Sequence, residues 1–428
     1  MAIHTRSPLR TLNPRRVFYG WWIVLSGFLL MLFSTGVGFY GFSAFVNPIA
    51  DSIAGGSRAI VATAVSIQRA ESGILGPIMG FLVDRVGPRI ILIFGFVVGG
   101  AGFILVSLTQ NIPQFYAAYI FLALGLGAGS FLIVSTAVTN WFSRMRGRAL
   151  GFLFLGPGFA GFLVLGIVEL IEMFGWRYTL AGVGVAMWII CIPLALIMRR
   201  APEAYGQRPD GEPPLPASEA RAQQLTGGGV PIAEAALIGI GNVLRSPGYY
   251  QYVIALGLQQ MGFSALVIFQ IPALETFGLT TREAGLAVLI WTIGGLPGRL
   301  ASGFLADKFD KRLVLAAAFI MQLVGLFFFL TTTNLTGAML YGVTHGIGWG
   351  MTTPSRLALQ GEFWGRAIFG RLMGIQTGTS ALGSILSPIF VGWWFDTYGD
   401  YKVPILLLFM PLFLCIALIL TLRRPQFG

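Results

Sequence analysis

The sequence predicts an all-α membrane protein with twelve transmembrane helices in two pseudo-symmetric six-helix bundles. Three observations predict it. Hydrophobic residues make up 55% of the 428-residue chain and charged residues only 11%, too little charge to cover a soluble domain of this size. Twelve stretches approach the roughly 20 apolar residues that one helical crossing needs. A motif closing the second stretch also returns, in degenerate form, at the close of the eighth.

The stretches run approximately over 18–44, 58–82, 88–108, 113–139, 148–172, 177–198, 249–273, 283–305, 312–331, 336–358, 369–393 and 403–422. In lipid the backbone must satisfy its own hydrogen bonds, so each crossing is a helix. Residues 1–17 then form a tail, 18–199 the first bundle, 200–246 a linker, 247–422 the second bundle and 423–428 a closing tail. Arg15-Arg16 superficially resembles a twin-arginine signal, but the stretch behind it is too long for a cleaved segment and reads as an anchor. Residues 200–230 are rich in Pro, Gly, Ala and charge, a composition that builds no core. From Ile232 to Leu244 the pattern turns amphipathic and closes at Arg245-Ser-Pro247, which predicts a short surface helix.

The repeat is the strongest organising signal. Gly80-Phe-Leu-Val-Asp-Arg85 matches Gly303-Phe-Leu-Ala-Asp-Lys308, and Gly125, Gly127 and Gly129 match Gly346, Gly348 and Gly350. Arg148-Ala-Leu-Gly151 matches Arg371-Leu-Met-Gly374, and Gly175-Trp-Arg-Tyr178 matches Gly399-Asp-Tyr-Lys402 at the turns. Agreement at four corresponding places makes the chain two homologous halves.

A net charge of +11 would suit a nucleic-acid binder, but its placement argues otherwise. With both termini cytoplasmic, the opposite side receives only Arg58, Arg177, Arg282 and Lys402. That bias predicts an inner (cytoplasmic) membrane protein with cytoplasmic termini and no nucleic-acid partner. Cys191 and Cys415 both fall in apolar stretches and read as small buried hydrophobes, giving neither a disulfide framework nor a metal site. No Walker loop, metal-ligand cluster or Ser–His–Asp set lies outside the apolar stretches, so neither an enzyme nor a cofactor is expected. Buried charges on the second and eighth spans suit a carrier better than a pore.

Gly80, Asp84, Arg85, Gly87 and Arg89, with the second copy at Gly303, Asp307, Lys308 and Arg312, resemble the loop motif of the major facilitator superfamily. The resemblance covers the chain apart from its tails and linker. It implies two bundles around a central cavity that rock between states open to either side. Tyr19-Gly-Trp-Trp22, Asn47-Pro48, Gly87-Pro-Arg89 and Gly298-Arg-Leu-Ala-Ser-Gly303 resemble its monocarboxylate and oxalate–formate branch. That branch implies a small organic anion as substrate, bound by the arginine matching Arg299, with protons as a possible second partner and a monomer as the working unit.

Arg299 lies eight residues before Asp307, about 12 Å into its helix. An arginine there costs roughly 2.5–3.5 kcal/mol on insertion scales, so it faces a partner or a wet cavity. Its planar fork can take a carboxylate in bidentate fashion, although a structural arginine on a helix carbonyl gives the same pattern. Arg69 and Glu71 sit near the middle of the second span, about 200° apart around the helix, so they do not pair with each other. Glu71 either carries a coupling proton, because desolvation favours the neutral carboxyl, or neutralises a buried arginine such as Arg69 or Arg299. Asp84 can sit against the N-terminus of a neighbouring helix, which the family resemblance implies is the eleventh, where the macrodipole favours an anion. Arg85, Arg89, Asp307 and Lys308 join it as gating candidates, and Arg356, near the inner end of the tenth span, reads as a gate cation. His345 beside Trp349 is more often a packing residue than a proton relay. Gln259 and Gln260 could bond a ligand or another helix. The candidate substrate-binding set is Arg299, Gln259, Gln260, His345, Trp349 and Ser380.

Two departures from the branch matter. Members exchanging dicarboxylates carry a lysine where Ser380 stands, and animal monocarboxylate carriers place a lysine in helix 1 where residues 36–42 have none. A single cavity cation at Arg299 suits a monocarboxylate better than a dicarboxylate. The missing helix-1 lysine leaves proton symport and anion exchange both open. Gly156-Pro-Gly158 with Gly161 resembles a drug–proton antiporter motif, which makes drug efflux the alternative to a packing role.

Overall fold

A computed structural model describes residues 18–129, 131–143, 145–205, 207–211, 243–364 and 369–423. Helix α1 (Tyr19–Thr35) passes through a wide π turn (Gly36–Tyr40) and a 3₁₀ turn (Gly41–Phe45) into α2 (Val46–Ile53), and together they make the first crossing. Gly36, Gly38 and Gly41 weaken the regular helix here. A side chain at Gly36 would press on Leu163, so the break also lets two helices approach. The rest of the first half is α3 (Arg58–Val86), α4 (Pro88–Ser107), α5 (Ile112–Ala128), α6 (Phe131–Trp141) and α7 (Arg146–Ile197). The second half is α8 (Pro247–Thr276), α9 (Thr281–Lys308), α10 (Lys311–Thr331), α11 (Leu335–Trp364), α12 (Phe369–Tyr398), α13 (Lys402–Phe409) and α14 (Pro411–Leu420).

The helix ends follow their sequence signals. Ser57, Asn111 and Asp310 cap their helices by accepting from Ile60 N, Gln114 N and Arg312 N, and Thr280 with Glu283 forms a capping box. The 52 residues of α7 are two crossings joined at Gly175, whose φ of 78° turns the chain. Gly399, its partner in the repeat, has φ 70° at the corresponding turn of the second half. A residue with a Cβ is strained in that left-handed region, so both copies keep glycine.

Among the described residues eight helical runs are long and apolar enough to cross a membrane, and the run containing α7 crosses twice. Helices α3, α11 and α12 fall outside those eight although they have 29, 30 and 30 residues. They carry Arg69, Glu71, His345, Arg356, Gln376 and Ser380, which lower their hydropathy while the bundle shields them. With these three and the second crossing of α7, the chain makes twelve passes.

The halves meet along two antiparallel seams, α3 on α12 and α7 on α9. Small residues bring the backbones together, as expected where lipid gives no hydrophobic drive between helices. A Cβ at Gly392 would lie 2.8 Å from the Ala59 Cα, and Cβ atoms at Gly158 and Gly161 would collide with Leu296 and Thr292. Ser66 Oγ donates to the Ile385 carbonyl at 2.7 Å across the first seam. The helix ends near Tyr19 and Leu420 define a terminal face, and those near Arg58 and Asp396 the far face.

On the terminal face, the start of the expected linker docks on the first half. Asp210 accepts from Ser143 N and Met145 N, each at 3.1 Å. Arg199 lies between the rings of Tyr19 and Tyr205, 4.1 and 4.0 Å from their centroids. Most of the linker, including the expected helix from Ile232 up to residue 242, lies outside the described residues, as do residues 1–17 and 424–428.

Candidate functional site

A cavity of about 600 Å³ lies between the halves. Its wall is built by α1 and its π turn, by α3 and α5–α7 of the first half, and by α9 and α11 of the second. Gly147, Leu150 and Gly151 at the start of α7, with Leu300 and Leu357, line it toward the terminal face. Phe39, Tyr40, Gln68 and Trp349 line it deeper in the molecule. The π turn contributes Phe39 and Tyr40, so the glycine-rich break that ends α1 also supplies part of the site. Single insertions of this kind are often found at functional positions.

Arg299 lines the cavity from α9. Its Nη1 donates to the Phe154 carbonyl on α7 at 3.0 Å, which ties the guanidinium across the seam. A Cβ at Gly158 would stand 3.2 Å from the same nitrogen, so glycine there leaves room for the arginine. Tyr40 and Trp349 line the cavity with it. Among the described residues no carboxylate forms an ion pair with Arg299. Trp349 stacks on Phe263 with centroids 3.4 Å apart and an 8° tilt, which fixes its ring at the wall.

Arg69 stands behind the wall, its Cζ 5.3 Å from the Phe39 centroid and its Nε buried without a hydrogen-bond partner. Both carboxylate oxygens of Glu71 are likewise buried and unpartnered. Neither arginine pairs with Glu71 among the described residues, so the expected counter-ion contact is absent there. Gln68 accepts from the Tyr119 hydroxyl at 3.2 Å and faces the cavity beside this group.

The other expected substrate residues lie elsewhere. Gln259 is buried inside the second half, donating to Gln322 at 3.1 Å, and Gln322 in turn donates to Thr352 at 2.8 Å. His345 is fully buried and accepts from Trp291 Nε1 at 2.9 Å among Tyr341 and Phe409. Ser380 is buried on α12 with its Oγ unpartnered, and Gln260 is half-buried on α8. Of the six, Arg299 and Trp349 reach the cavity.

At the terminal face, Arg85 and Arg89 are exposed, Arg85 lying 4.6 Å from the Phe81 centroid, and Lys308 is exposed as well. The side chains of Asp84 and Asp307 lie outside those described. Arg356 is mostly enclosed near Tyr252, whose hydroxyl donates to the Arg356 carbonyl at 2.9 Å, and its Nε is unpartnered. Among the described residues it forms no ion pair. Lys311 pairs with Glu362 instead.

The far face is closed by contacts that reading one span at a time does not reveal. Asp396, at the end of α12, accepts from Ser57 Oγ at 2.7 Å, Arg58 N at 2.8 Å and Ala59 N at 3.0 Å. A carboxylate from one half thus caps a helix of the other, where the macrodipole favours it. Asn47 donates to Glu275 at 2.6 Å and accepts from Arg58 Nε at 3.2 Å, while Arg58 pairs with Asp51 at 3.0 Å. On the second seam Arg282 meets Glu169 at 2.8 Å. Arg58 and Arg282 open corresponding helices of the two halves, so the repeat builds a latch on each seam.

Comparison with known proteins matches this arrangement. The Major Facilitator Superfamily profile matches residues 28–274 and again residues 252–427. The chain is 26% identical over 322 residues to the oxalate:formate antiporter of Oxalobacter formigenes, covering 74% of this chain and 70% of that one. It is 24% identical over 398 residues to monocarboxylate transporter 13 of Bos taurus, covering 90% and 84%. Among solved structures, a bacterial homolog of the human lysosomal transporter Spinster, in an inward-facing and unoccupied conformation, superposes with a TM-score of 0.70 at 15% identity. That superposition covers 95% of this chain and 96% of the other. Twelve passes in two repeated halves, a cavity on their seam and a profile matching both halves make this chain a member of the major facilitator superfamily of membrane transporters.

Proposed function

We propose that the protein is a secondary carrier that moves a small organic anion, a monocarboxylate, across the cytoplasmic membrane by alternating access. One observation carries this: Arg299 stands in the wall of the central cavity with no acidic partner among the described residues. An unpaired cation facing a cavity is costly unless something with negative charge visits it, and a guanidinium matches a carboxylate in two parallel hydrogen bonds. The names of the two relatives, an oxalate:formate antiporter and a monocarboxylate transporter, support the same class. Drug efflux is the weaker reading. Gly158 and Gly161, from the motif that suggested it, pack tightly on α9, and arginines in and behind the wall repel the cations such pumps commonly export.

The Lys/Arg bias places the terminal face in the cytoplasm. With the far-face latches engaged and the cavity lined toward the terminal face, the described conformation is then the inward-facing one. Glu71 is the carboxyl placed to accept a coupling proton, and the working unit is the monomer. The test is ligand-induced thermal stabilisation of purified protein by a panel of small carboxylates. Wild type shows a concentration-dependent rise with monocarboxylates, and Arg299→Ala and Arg299→Lys both lose it while keeping the melting temperature of unliganded protein. A rise of equal size in Arg299→Lys would show that the planar fork is not used.

A further inference from the structure

We propose that the substrate carries an aromatic ring next to its carboxylate, so that the site takes aryl monocarboxylates in preference to two- and three-carbon acids. This rests on the reading of Arg299 as the carboxylate anchor and adds what sits beside it. Five rings line the cavity with that arginine: Phe39, Tyr40, Phe131, Phe154 and Trp349. They share one cavity with the guanidinium. Arg299 is bound to the carbonyl of Phe154, whose ring meets that of Phe131 with centroids 5.0 Å apart. Tyr40 and Trp349 line the same cavity as Arg299.

Two of these rings are held from behind. Trp349 is stacked on Phe263, and Phe39 is backed by the Arg69 guanidinium. Faces fixed in this way do not have to be ordered when a ligand arrives, which is where affinity is otherwise lost. Arg69 also draws electron density from the Phe39 ring, leaving its other face a better partner for an electron-rich ring.

Size points the same way. The cavity measures about 600 Å³, and a water molecule takes ~30 Å³ of liquid volume. Acetate or oxalate displaces only a few waters, so most of the ring surface would stay wet after it bound. An aryl acid covers those faces and releases water that has few polar partners, which favours binding. No acidic residue is among the described lining residues, so an aromatic cation finds no counter-charge there.

The test is calorimetric titration of the purified full-length protein with phenylacetate, acetate, oxalate and the uncharged 2-phenylethanol. Each good ring contact is worth up to about tenfold in affinity, so phenylacetate binds at least about tenfold more tightly than acetate or oxalate. Trp349→Leu lowers that ratio about fivefold, the loss of roughly one such contact. The wild-type panel stands by itself if the variant folds poorly. Acetate or oxalate binding as tightly as phenylacetate overturns the aryl preference and leaves the anion site intact. Binding of 2-phenylethanol as tight as that of phenylacetate overturns the anion reading itself. Absence of phenylacetate binding at millimolar concentration overturns the proposal.

Discussion

Glu71 and Arg69 are two residues apart on α3, yet each is buried without the other. A charge in low dielectric with no partner is costly, and a carboxylate can shed that cost by taking a proton. This gives the proton reading of Glu71 an advantage over the counter-ion reading, and the two separate experimentally. Glu71→Gln is expected to keep or raise the melting temperature, because it removes an uncompensated charge and breaks no ion pair. A fall of several degrees would mean that Glu71 neutralises an arginine in another state. In proteoliposomes an inward-acid gradient should drive uptake by wild type, and Glu71→Gln should lose that drive while retaining exchange. Indifference of wild type to the gradient would favour anion exchange.

The seam helices carry the contacts that join the two halves at the far face. Asp396 caps α3 from across the first seam with three hydrogen bonds, and a lost cap of this kind costs about 1 kcal/mol. Asp396→Ala should therefore shift the population toward a far-face-open state by roughly fivefold, since 1.4 kcal/mol is a factor of ten. Cysteines introduced near Asn47 and Glu275 would report it as faster labelling, and unchanged rates would show that the cap does not hold the gate. Asp84→Asn, at the opposite end of α3, should favour the terminal-face-open state. Opposite signs from the two substitutions would identify the antiparallel pair α3–α12 as the switch. Packing on the second seam gives a further expectation. Gly161→Leu places a side chain into Thr292 and Leu289, and overpacking of this kind typically costs 1–3 kcal/mol, about the size that lowers the melting temperature by several degrees. A melting temperature equal to wild type would show that α7 and α9 separate freely.

At the scale of the molecule, much of the architecture was legible because membrane folding obeys few rules. Nine of the twelve crossings follow from apolar length, and the repeat pairs Gly175 with Gly399, both in the left-handed region where the chain turns. Arg299 was legible because a charge inside an apolar run demands a reason. What the sequence hid depends on distance across the fold. Phe39, Tyr40 and Gln68 are ordinary residues of an apolar span, and only the π turn and the neighbouring helices decide that they face the cavity. Asp396 looks like one more charge at a turn until the start of α3 is brought against it. Gln259 and His345 fit the pattern of a ligand site as well as that of a packed interior. Their partners Gln322 and Trp291 lie more than fifty residues away, so spacing along one helix does not distinguish the two.

The most direct test of carrier function through Arg299 is counterflow in proteoliposomes loaded with unlabelled monocarboxylate and diluted into the labelled acid. Wild-type protein should accumulate label transiently above its equilibrium level. Arg299→Lys and Arg299→Ala, reconstituted to the same density, should show no overshoot. Overshoot in both variants, or its absence in wild type across a panel of short-chain and aryl acids, would contradict an anion carrier built around this arginine.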